Sequence, residues 1–229
     1  MAFGTFCFVT DFAIAKSAPI SYAERRTSHK LKTLAAILPQ FIGVKSLKEI
    51  IGKSILLRKY CIDDAEFIFN WRNDKKTTIY MGKKFRDQAT MDQVKSSLSN
   101  VINLKNKDSL FYAIADKDTK EYIGGIDLTS IDPIDKTCVM SIVIGKEKFR
   151  NKGIASEAIG LLMDIAFMDL KLHKIELNVY EKNIPALKCY QKNGFIIEGT
   201  SRDHMIIDGQ YENLIHMGIL ESEYFQGRN

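Results

Sequence analysis

Hydrophobic and polar positions along the chain follow two different periods, and each change of period marks a new element. From Ser54 onward, short apolar runs, some alternating with polar residues, are separated by stretches in which apolar residues recur every three or four positions. The first pattern predicts strands and the second predicts amphipathic helices, because side chains repeat every two residues along a strand and about every 3.6 along a helix. The sequence therefore predicts a mixed α/β domain.

The order of these patterns predicts a central sheet flanked by helices. The predicted strands cover residues 54–59, 110–115, 122–129, 137–144, 175–180, 195–198 and 211–220. The predicted helices cover residues 63–71, 90–104, 154–166 and 184–192. Residues 75–86 lack either period and predict a basic loop.

The first 52 residues differ from the rest. An aromatic start gives way to a stretch rich in Ser, Lys and Arg, and a helical pattern from Leu31 to Ile51 is broken or kinked at Pro39. We therefore divide the chain into an N-terminal helical extension of unknown role (residues 1–52), one α/β domain (53–220) and a tail (221–229).

Charge, hydropathy and cysteine content limit which partners, metals and cellular locations are expected. The net charge of +5 is already present in residues 1–53, where eight Lys and Arg face three Asp and Glu, so the remainder is balanced and predicts no nucleic-acid partner. No stretch reaches 18 apolar residues, so no membrane span is expected. The four cysteines lie far apart without metal-ligand spacing, which predicts no metal and a reducing, cytoplasmic location.

The first motif with chemical content follows a predicted strand and opens the clearest of the predicted helices. It is the run Arg150-Asn151-Lys152-Gly153-Ile154-Ala155. Backbone N–H groups at a helix N-terminus are unpaired and carry positive partial charge, so they suit a phosphate or pyrophosphate. Neither a dinucleotide fingerprint nor a Walker loop is present. By itself, a glycine at a helix start is more often structural than functional.

The second motif lies 33 residues further on. Asn183 is followed by Ala186, Tyr190 and Gly194-Phe195 at fixed spacings, after a strand that alternates apolar and polar residues. Each residue alone has a structural explanation, Asn183 as a helix cap and Tyr190 as a core aromatic. The order of strand, R-x-x-G-x-A helix, strand and N-x-x-A-x-x-x-Y helix is much harder to obtain by chance.

In this order the sequence resembles the GNAT superfamily of acyl-CoA N-acyltransferases. Its ribosomal-protein N-acetyltransferase, spermidine acetyltransferase and nucleotide-amino-sugar acetyltransferase branches are the most similar. The resemblance covers residues 54–220 and includes Trp71-Arg72-Asn73-Asp74, residues 172–179 and Asp208-Gly209-Gln210-Tyr211. It implies a single GNAT-like domain and acetyl-CoA as the co-substrate.

The resemblance also implies roles for individual residues. Tyr190 would protonate the leaving thiolate, and Asn183 would hold the pantetheine arm. The strand containing Val143 and Ile144 would hydrogen-bond the pantetheine amides. The pyrophosphate would be bound by the loop and helix start formed by Arg150, Asn151, Lys152, Gly153, Ile154 and Ala155. Trp71, Arg72 and Asn178 would line the acceptor side.

The general base is where the sequence departs from the family pattern. An alkylammonium with a pKa of about 10.4 must lose a proton before it can attack a thioester. Many relatives carry a glutamate where Val139-Met140-Ser141 stands here. Asp127 and Glu176 are the candidates for the role, and water relayed to bulk solvent is an equal alternative.

Taken together, these features predict an N-acetyltransferase that acts directly on a primary amine of a small molecule, either an amino sugar, including a nucleotide-linked one, or a polyamine. A protein N-terminal acetyltransferase and a non-catalytic acyl-CoA-binding module are the alternatives. A covalent route through Cys138 or Cys189 is disfavoured because neither has an activating base nearby in sequence. The resemblance also allows a homodimer.

Overall fold

The structure is a computed structural model that describes residues 48–103 and 108–227. The predicted N-terminal helix falls on residues 31–51 and lies outside this range except for its last four residues. The strands in the described residues are β1 (Ile50–Ile51), β2 (Ile55–Arg58), β3 (Leu110–Asp116), β4 (Tyr122–Asp132), β5 (Thr137–Ile144), β6 (Lys174–Tyr180), β7 (Ile196–Ile207) and β8 (Gln210–Leu220). The α-helices are α1 (Asp64–Arg72), α2 (Lys75–Thr78), α3 (Met91–Ile102), α4 (Ile154–Asp164), α5 (Ile184–Lys192) and α6 (Glu221–Gln226).

The strands form one mixed sheet in the order β1-β2-β3-β4-β5-β6-β8-β7. All neighbours are antiparallel except β5 and β6, which are parallel. Their pairing ends with Val139 opposite Glu176, so the remaining residues of both strands have no partner across this gap. We call the gap between residues 140–144 of β5 and 177–180 of β6 the β5–β6 opening.

Both faces of the sheet are covered. One face packs against α4, whose Ile154, Ala158 and Leu162 are buried with the inward residues of β5 and β6. The other face packs against α1 and α3 through a smaller cluster that includes Ile68 and Leu98. Each fully buried Leu or Ile contributes roughly 1.5–3 kcal/mol, so the two layers fix the orientation of the central strands.

Local signals in the sequence explain where the helices begin. Thr90 caps α3 with a reciprocal capping box to Gln93, and Asn183 caps α5 just before Pro185. Helix α1 is fixed to β2 by a bidentate ion pair, in which the guanidinium of Arg58 donates to both carboxylate oxygens of Asp64 at 2.8 and 2.7 Å. Asp64 is buried, and such a pair is costly to break on one side only.

The structure differs from the predicted elements in four places. Residues 50–51, expected to end the N-terminal helix, form strand β1, which pairs with β2. The basic segment 75–86, expected to be a loop, contains α2 and a 3₁₀ turn at Lys83–Phe85. Strand β7 runs for twelve residues rather than four, because most of its length pairs with β8 at the edge of the sheet. Residues assigned to the tail form α6, whose Tyr224 is buried against Phe167.

Candidate active site

Polar side chains on one face of the sheet flank the β5–β6 opening. Ser141 on β5 and Asn178 on β6 each lie two positions beyond the last paired residues, Val139 and Glu176. Because side chains alternate along a strand, Ser141 and Asn178 share a face. Asp127 of β4 is directly opposite Ser141 and belongs to the same face.

Asp127 and Ser141 form one polar pair beside the opening. The Ser141 hydroxyl and Asp127 Oδ1 are 2.5 Å apart, and Asp127 is only 3% exposed. Burial raises the pKa of the Asp127 carboxyl to about 8, and the hydrogen bond from Ser141 opposes this rise. A carboxyl with such a pKa can exchange a proton near neutral pH, which is the property a general base requires.

Asn178 belongs to a second polar group on the other side of the opening. Its Oδ1 lies 2.6 Å from Nδ1 of His216 on β8, and Nε2 of the same ring lies 2.7 Å from the hydroxyl of Ser201 on β7. All three side chains are partly buried. The opening is therefore bordered by Asp127 and Ser141 on one side and by Asn178 on the other.

Tyr190 is placed by α5 on the opposite face of the sheet, in the same buried cluster as Met140 of β5 and Leu177 and Val179 of β6. Its ring is packed edge-on against Phe195 with centroids 6.0 Å apart, and the residue is 92% buried. Burial, with smaller contributions from Cys189 and Asp127, raises the pKa of Tyr190 well above its usual range. Its hydroxyl makes no hydrogen bond within the described residues, where every fully buried side-chain polar atom has a partner, so the oxygen reaches accessible space and its proton is available to a ligand.

The start of α4 offers a row of free backbone donors. The N–H groups of residues 151–156 donate to no group that the structure describes, and the first backbone bond of the helix runs from Glu157 N to Gly153 O. Gly153 has a φ of 78°, and a Cβ added there would meet nothing within 4 Å. The glycine is thus required by backbone conformation, and the space beside it is open to an anion.

Arg150, which was expected to bind the pyrophosphate, makes hydrogen bonds within the protein. Its guanidinium donates to the carbonyl oxygen of Ile144 at 3.2 Å and to the hydroxyl of Thr77 at 2.6 Å. It therefore links the end of β5 to α2 and binds the carbonyl of Ile144, a residue of the strand expected to hydrogen-bond the pantetheine amides. Lys152 is exposed, and the side chain of Val143 is buried in the smaller cluster.

The side chains of Trp71 and Arg72, which were expected to line the acceptor side, make structural contacts with neighbouring residues. Trp71 is 4% exposed, donates from Nε1 to the Tyr122 hydroxyl at 3.3 Å and covers Gly145 so closely that a Cβ there would lie 2.5 Å from its ring. The guanidinium of Arg72 donates to the backbone carbonyls of Lys84, Phe85 and Asp87. These contacts hold Gly145 at the end of β5 and the segment 84–87 in place.

Glu176 and the cysteines are less suited to chemistry at the opening. Glu176 is 46% exposed at its side chain and forms an ion pair with Lys174 at 2.9 Å, at the closed end of the β5–β6 pair. Burial raises the pKa of both Cys138 and Cys189, which disfavours the reactive thiolate. Between the two candidate bases, the structure brings only Asp127 beside Ser141 and the opening.

A cavity of about 350 Å³ lies between the α1–α3 connection and the β7–β8 turn. Lys75 and Asp208 form an ion pair across it at 3.0 Å, and Arg86 donates to the carbonyl of Ile206 at 2.9 Å. The lining residues are Arg72, Asn73, Lys75, Thr78, Ile79, Arg86, Asp87, Gln88, Ile207 and Asp208. The volume suits a small molecule.

Sequence reasoning did not identify Ser141, Ser201 or His216 as site residues. His216 lies in the predicted strand 211–220 with no role indicated by the pattern, whereas in the structure it links Asn178 to Ser201. The available signal was weak: each is a single polar residue in an otherwise apolar or mixed strand. Only the pairing of β6 with β8 puts Asn178 opposite His216.

A parallel strand pair that separates beside a helix N-terminus, with a buried tyrosine at the gap, defines an acyl-CoA-dependent acyltransferase. The acetyltransferase (GNAT) domain model matches residues 54–196, and the chain belongs to this family. It is an acetyl-CoA-dependent N-acetyltransferase, as the resemblance implied. No helix in the described residues is both long and apolar enough to cross a bilayer.

Several known proteins are similar to this chain. Spermidine N(1)-acetyltransferase of Vibrio cholerae is 28% identical over 174 residues, which cover 76% of this chain and 97% of that protein. Putative ribosomal N-acetyltransferase YdaF of Bacillus subtilis is 28% identical over 101 residues, or 44% of this chain and 55% of that protein. A crystal structure of the Vibrio cholerae enzyme with CoA and spermine superposes with a TM-score of 0.66 at 29% identity, covering 75% of this chain and 98% of that one.

The role of Gly153 at the start of α4 can be tested by replacing it with alanine and comparing the result with the same change at Gly160. Gly153→Ala should lower the free energy of unfolding by about 1 kcal/mol, because an L-residue is strained at positive φ, and it should weaken acetyl-CoA binding. Gly160→Ala in the same helix is the control: it has ordinary φ and open space, so it should raise stability by roughly 0.5–1 kcal/mol. Urea unfolding and calorimetric titration measure both effects. Equal acetyl-CoA affinity in the two variants would contradict a pyrophosphate site at Gly153.

Proposed function

We propose that this enzyme transfers the acetyl group of acetyl-CoA directly to a primary amine of a small molecule at the β5–β6 opening. The observation that carries the proposal is a pair of proton-transfer groups on opposite faces of the sheet: the hydroxyl of Tyr190, which makes no hydrogen bond within the described residues, and the carboxyl of Asp127, whose pKa is raised. One group is suited to donate a proton and the other to accept one. Such a pair matches what acyl transfer to an ammonium requires.

The residues around the opening fit acetyl-CoA. The free N–H groups of residues 151–156 would bind its pyrophosphate, with charge from Lys152. The unpaired edge of β5 beyond Val139 offers backbone groups to the pantetheine amides, Val143 among them. Asn183, whose Oδ1 caps α5 by accepting from Ala186 N at 3.4 Å, retains an amide NH2 for the same arm.

The proposed reaction uses Asp127 on one face of the sheet and Tyr190 on the other. The carboxylate of Asp127, directly or through Ser141, takes one proton from the ammonium, and this proton later passes to solvent. The nitrogen lone pair forms the new C–N bond at the thioester carbon, and the C–S bond breaks as the carbonyl reforms. Tyr190 gives its proton to the leaving sulfur and regains one that the acylated nitrogen loses.

The acceptor class is inferred from the cavity and from the relatives. A volume of about 350 Å³, crossed by the Lys75–Asp208 ion pair, favours a small molecule over a protein N-terminus. The similar spermidine acetyltransferases favour a polyamine. The lining cations, Arg72, Lys75 and Arg86, against the two carboxylates Asp87 and Asp208 favour an amine that carries an anionic group, such as a nucleotide-linked amino sugar.

An assay of thiol release with a panel of acceptors tests the proposal. The panel contains spermidine, a nucleotide-linked amino sugar, an uncharged amino sugar and a short peptide with a free N-terminus. Amine-dependent thiol release with a small molecule, and little with the peptide, is the expected result. Release with the peptide alone would favour protein N-terminal acetylation, and tight acetyl-CoA binding without release for any amine would contradict the proposal.

A further inference from the structure

Asn178, His216 and Ser201 form a hydrogen-bonded chain whose direction is fixed by its chemistry. Oδ1 of Asn178 can only accept, so Nδ1 of His216, 2.6 Å away, carries the proton. In the neutral ring Nε2 is then an acceptor, and the Ser201 hydroxyl donates to it at 2.7 Å. Every bond in the chain therefore donates towards Asn178.

This direction determines what Asn178 presents to a ligand. Its amide oxygen is occupied by His216 on β8, which lies on one side of β6, while the opening lies on the other. The amide NH2 has no hydrogen bond within the described residues, and the residue is only half-buried. What remains at the opening is a hydrogen-bond donor held in a fixed orientation.

A donor at this point complements only one of the reacting groups. An incoming ammonium is itself a donor and finds no partner in an NH2 group. The thioester carbonyl is an acceptor, and its oxygen gains negative charge as the amine attacks. A donor aimed at that oxygen stabilises the transition state more than the ground state.

We propose that the Asn178 amide NH2 binds the acyl carbonyl oxygen and stabilises the negative charge that develops on it, with His216 and Ser201 as positioning residues that act through Asn178. The proposal rests on the placement of acetyl-CoA in the β5–β6 opening. The two borders of the opening then have opposite polarity, since Asp127 accepts a proton, directly or through Ser141, and Asn178 donates a hydrogen bond. No covalent bond to the protein forms.

The same order of donors occurs in serine nucleophile triads, but the sheet order argues against that role. Ser201 is on β7, which is separated from β6 by β8, so its backbone lies two strand spacings or about 9.5 Å from that of Asn178. The acyl group in the opening would meet Asn178 first. An acetyl adduct on Ser201, detected by mass spectrometry, would overturn the positioning role.

The direct test is the infrared carbonyl band of acetyl-CoA labelled with ¹³C at the thioester carbon, bound without an acceptor amine. We expect a shift to lower frequency in the native protein that is lost in Asn178→Leu and reduced in His216→Phe. His216→Asn should restore it, because the asparagine amide nitrogen lies close to the position of Nδ1. The same band in the native protein and Asn178→Leu, with acetyl-CoA bound to both, would overturn the proposal.

Steady-state kinetics provide a second test of the proposal. Asn178→Leu should lower kcat about 100-fold, the low end for a lost oxyanion donor, and KM for acetyl-CoA should change little. His216→Phe should have a smaller effect, and the double variant should be no slower than Asn178→Leu alone. Additive losses would overturn the claim that His216 acts through Asn178.

Two exposed or peripheral residues provide matched controls. Asn213→Leu removes an asparagine of β8 whose NH2 binds Glu181, and His204→Phe removes an exposed histidine of β7. Neither should alter the carbonyl band. Failure of the native protein to bind acetyl-CoA would instead contradict the proposed function itself, so the two proposals fail in distinguishable ways.

Discussion

Replacing Tyr190 with phenylalanine is expected to lower kcat by about 1,000-fold, within the range for a lost general acid. The Tyr190 hydroxyl makes no hydrogen bond within the described residues, whereas its ring packs on Phe195. Removing the oxygen therefore takes away a proton donor without disturbing the core. Acetyl-CoA affinity should change little. Steady-state kinetics and calorimetric titration separate these two quantities.

The pH dependence adds a second readout for Tyr190. Because burial raises its pKa above the usual range, the hydroxyl stays protonated throughout the range in which the enzyme is assayed. The native enzyme should therefore show no loss of activity near pH 10 from this group. Tyr112→Phe, another buried tyrosine on β3, is the control and should leave kcat almost unchanged. A Tyr190→Phe variant as fast as Tyr112→Phe would remove Tyr190 from the acid role.

Asp127→Asn is expected to lower kcat by about 1,000-fold as well, because asparagine cannot take the proton of the ammonium. In the native enzyme only the carboxylate form is active, so kcat/KM should rise with pH and level off above the Asp127 pKa of about 8. The variant should lose this rise. Retained activity with an unchanged pH profile would favour the alternative in which water carries the proton to solvent.

The same substitution should make the protein more stable at high pH. The pKa of Asp127 is raised from about 3.8 in the unfolded chain to about 8 in the folded one, so the unfolded state releases the proton first. The native protein therefore loses stability as pH rises from 4 to 8, and the loss is complete above 8. Asp127→Asn removes this penalty, and urea unfolding at pH 5 and pH 9 should show an advantage only at the higher pH.

Glu212 provides the control for this stability effect. It is also a buried carboxylate, at 2% exposed, but it accepts from Lys182 N at 2.8 Å and forms an ion pair with the same residue. Glu212→Gln should therefore lower stability and have little effect on kcat. If both variants shifted stability in the same direction at pH 9, the raised pKa of Asp127 would be contradicted.

Local signals in the sequence were enough to predict most of the fold. The strand over residues 137–144 and the helices capped by Thr90 and Asn183 have the bounds or caps that the pattern indicates. Each depends on residues close in sequence, such as Gln93 for the cap of α3 or Pro185 at the start of α5. The 75–86 segment was missed although Asp74 caps its first helix, because that helix has only four residues and the segment is also held by contacts with residues 205–208 far along the chain.

The sequence by itself determined the class of the protein, because the Arg150–Ala155 motif spans one loop and the helix start that follows it, and the Asn183–Tyr190 motif lies in one capped helix, so that neither spacing depends on distant contacts. It could not choose between Asp127 and Glu176 as the base or recognise His216, because these depend on which strands pair and where pairing ends. Only the tertiary structure ends the β5–β6 ladder at Glu176, buries Asp127 beside Ser141 and sets His216 opposite Asn178. Burial and distance set proton affinity and hydrogen-bond direction, and both are properties of the folded sheet.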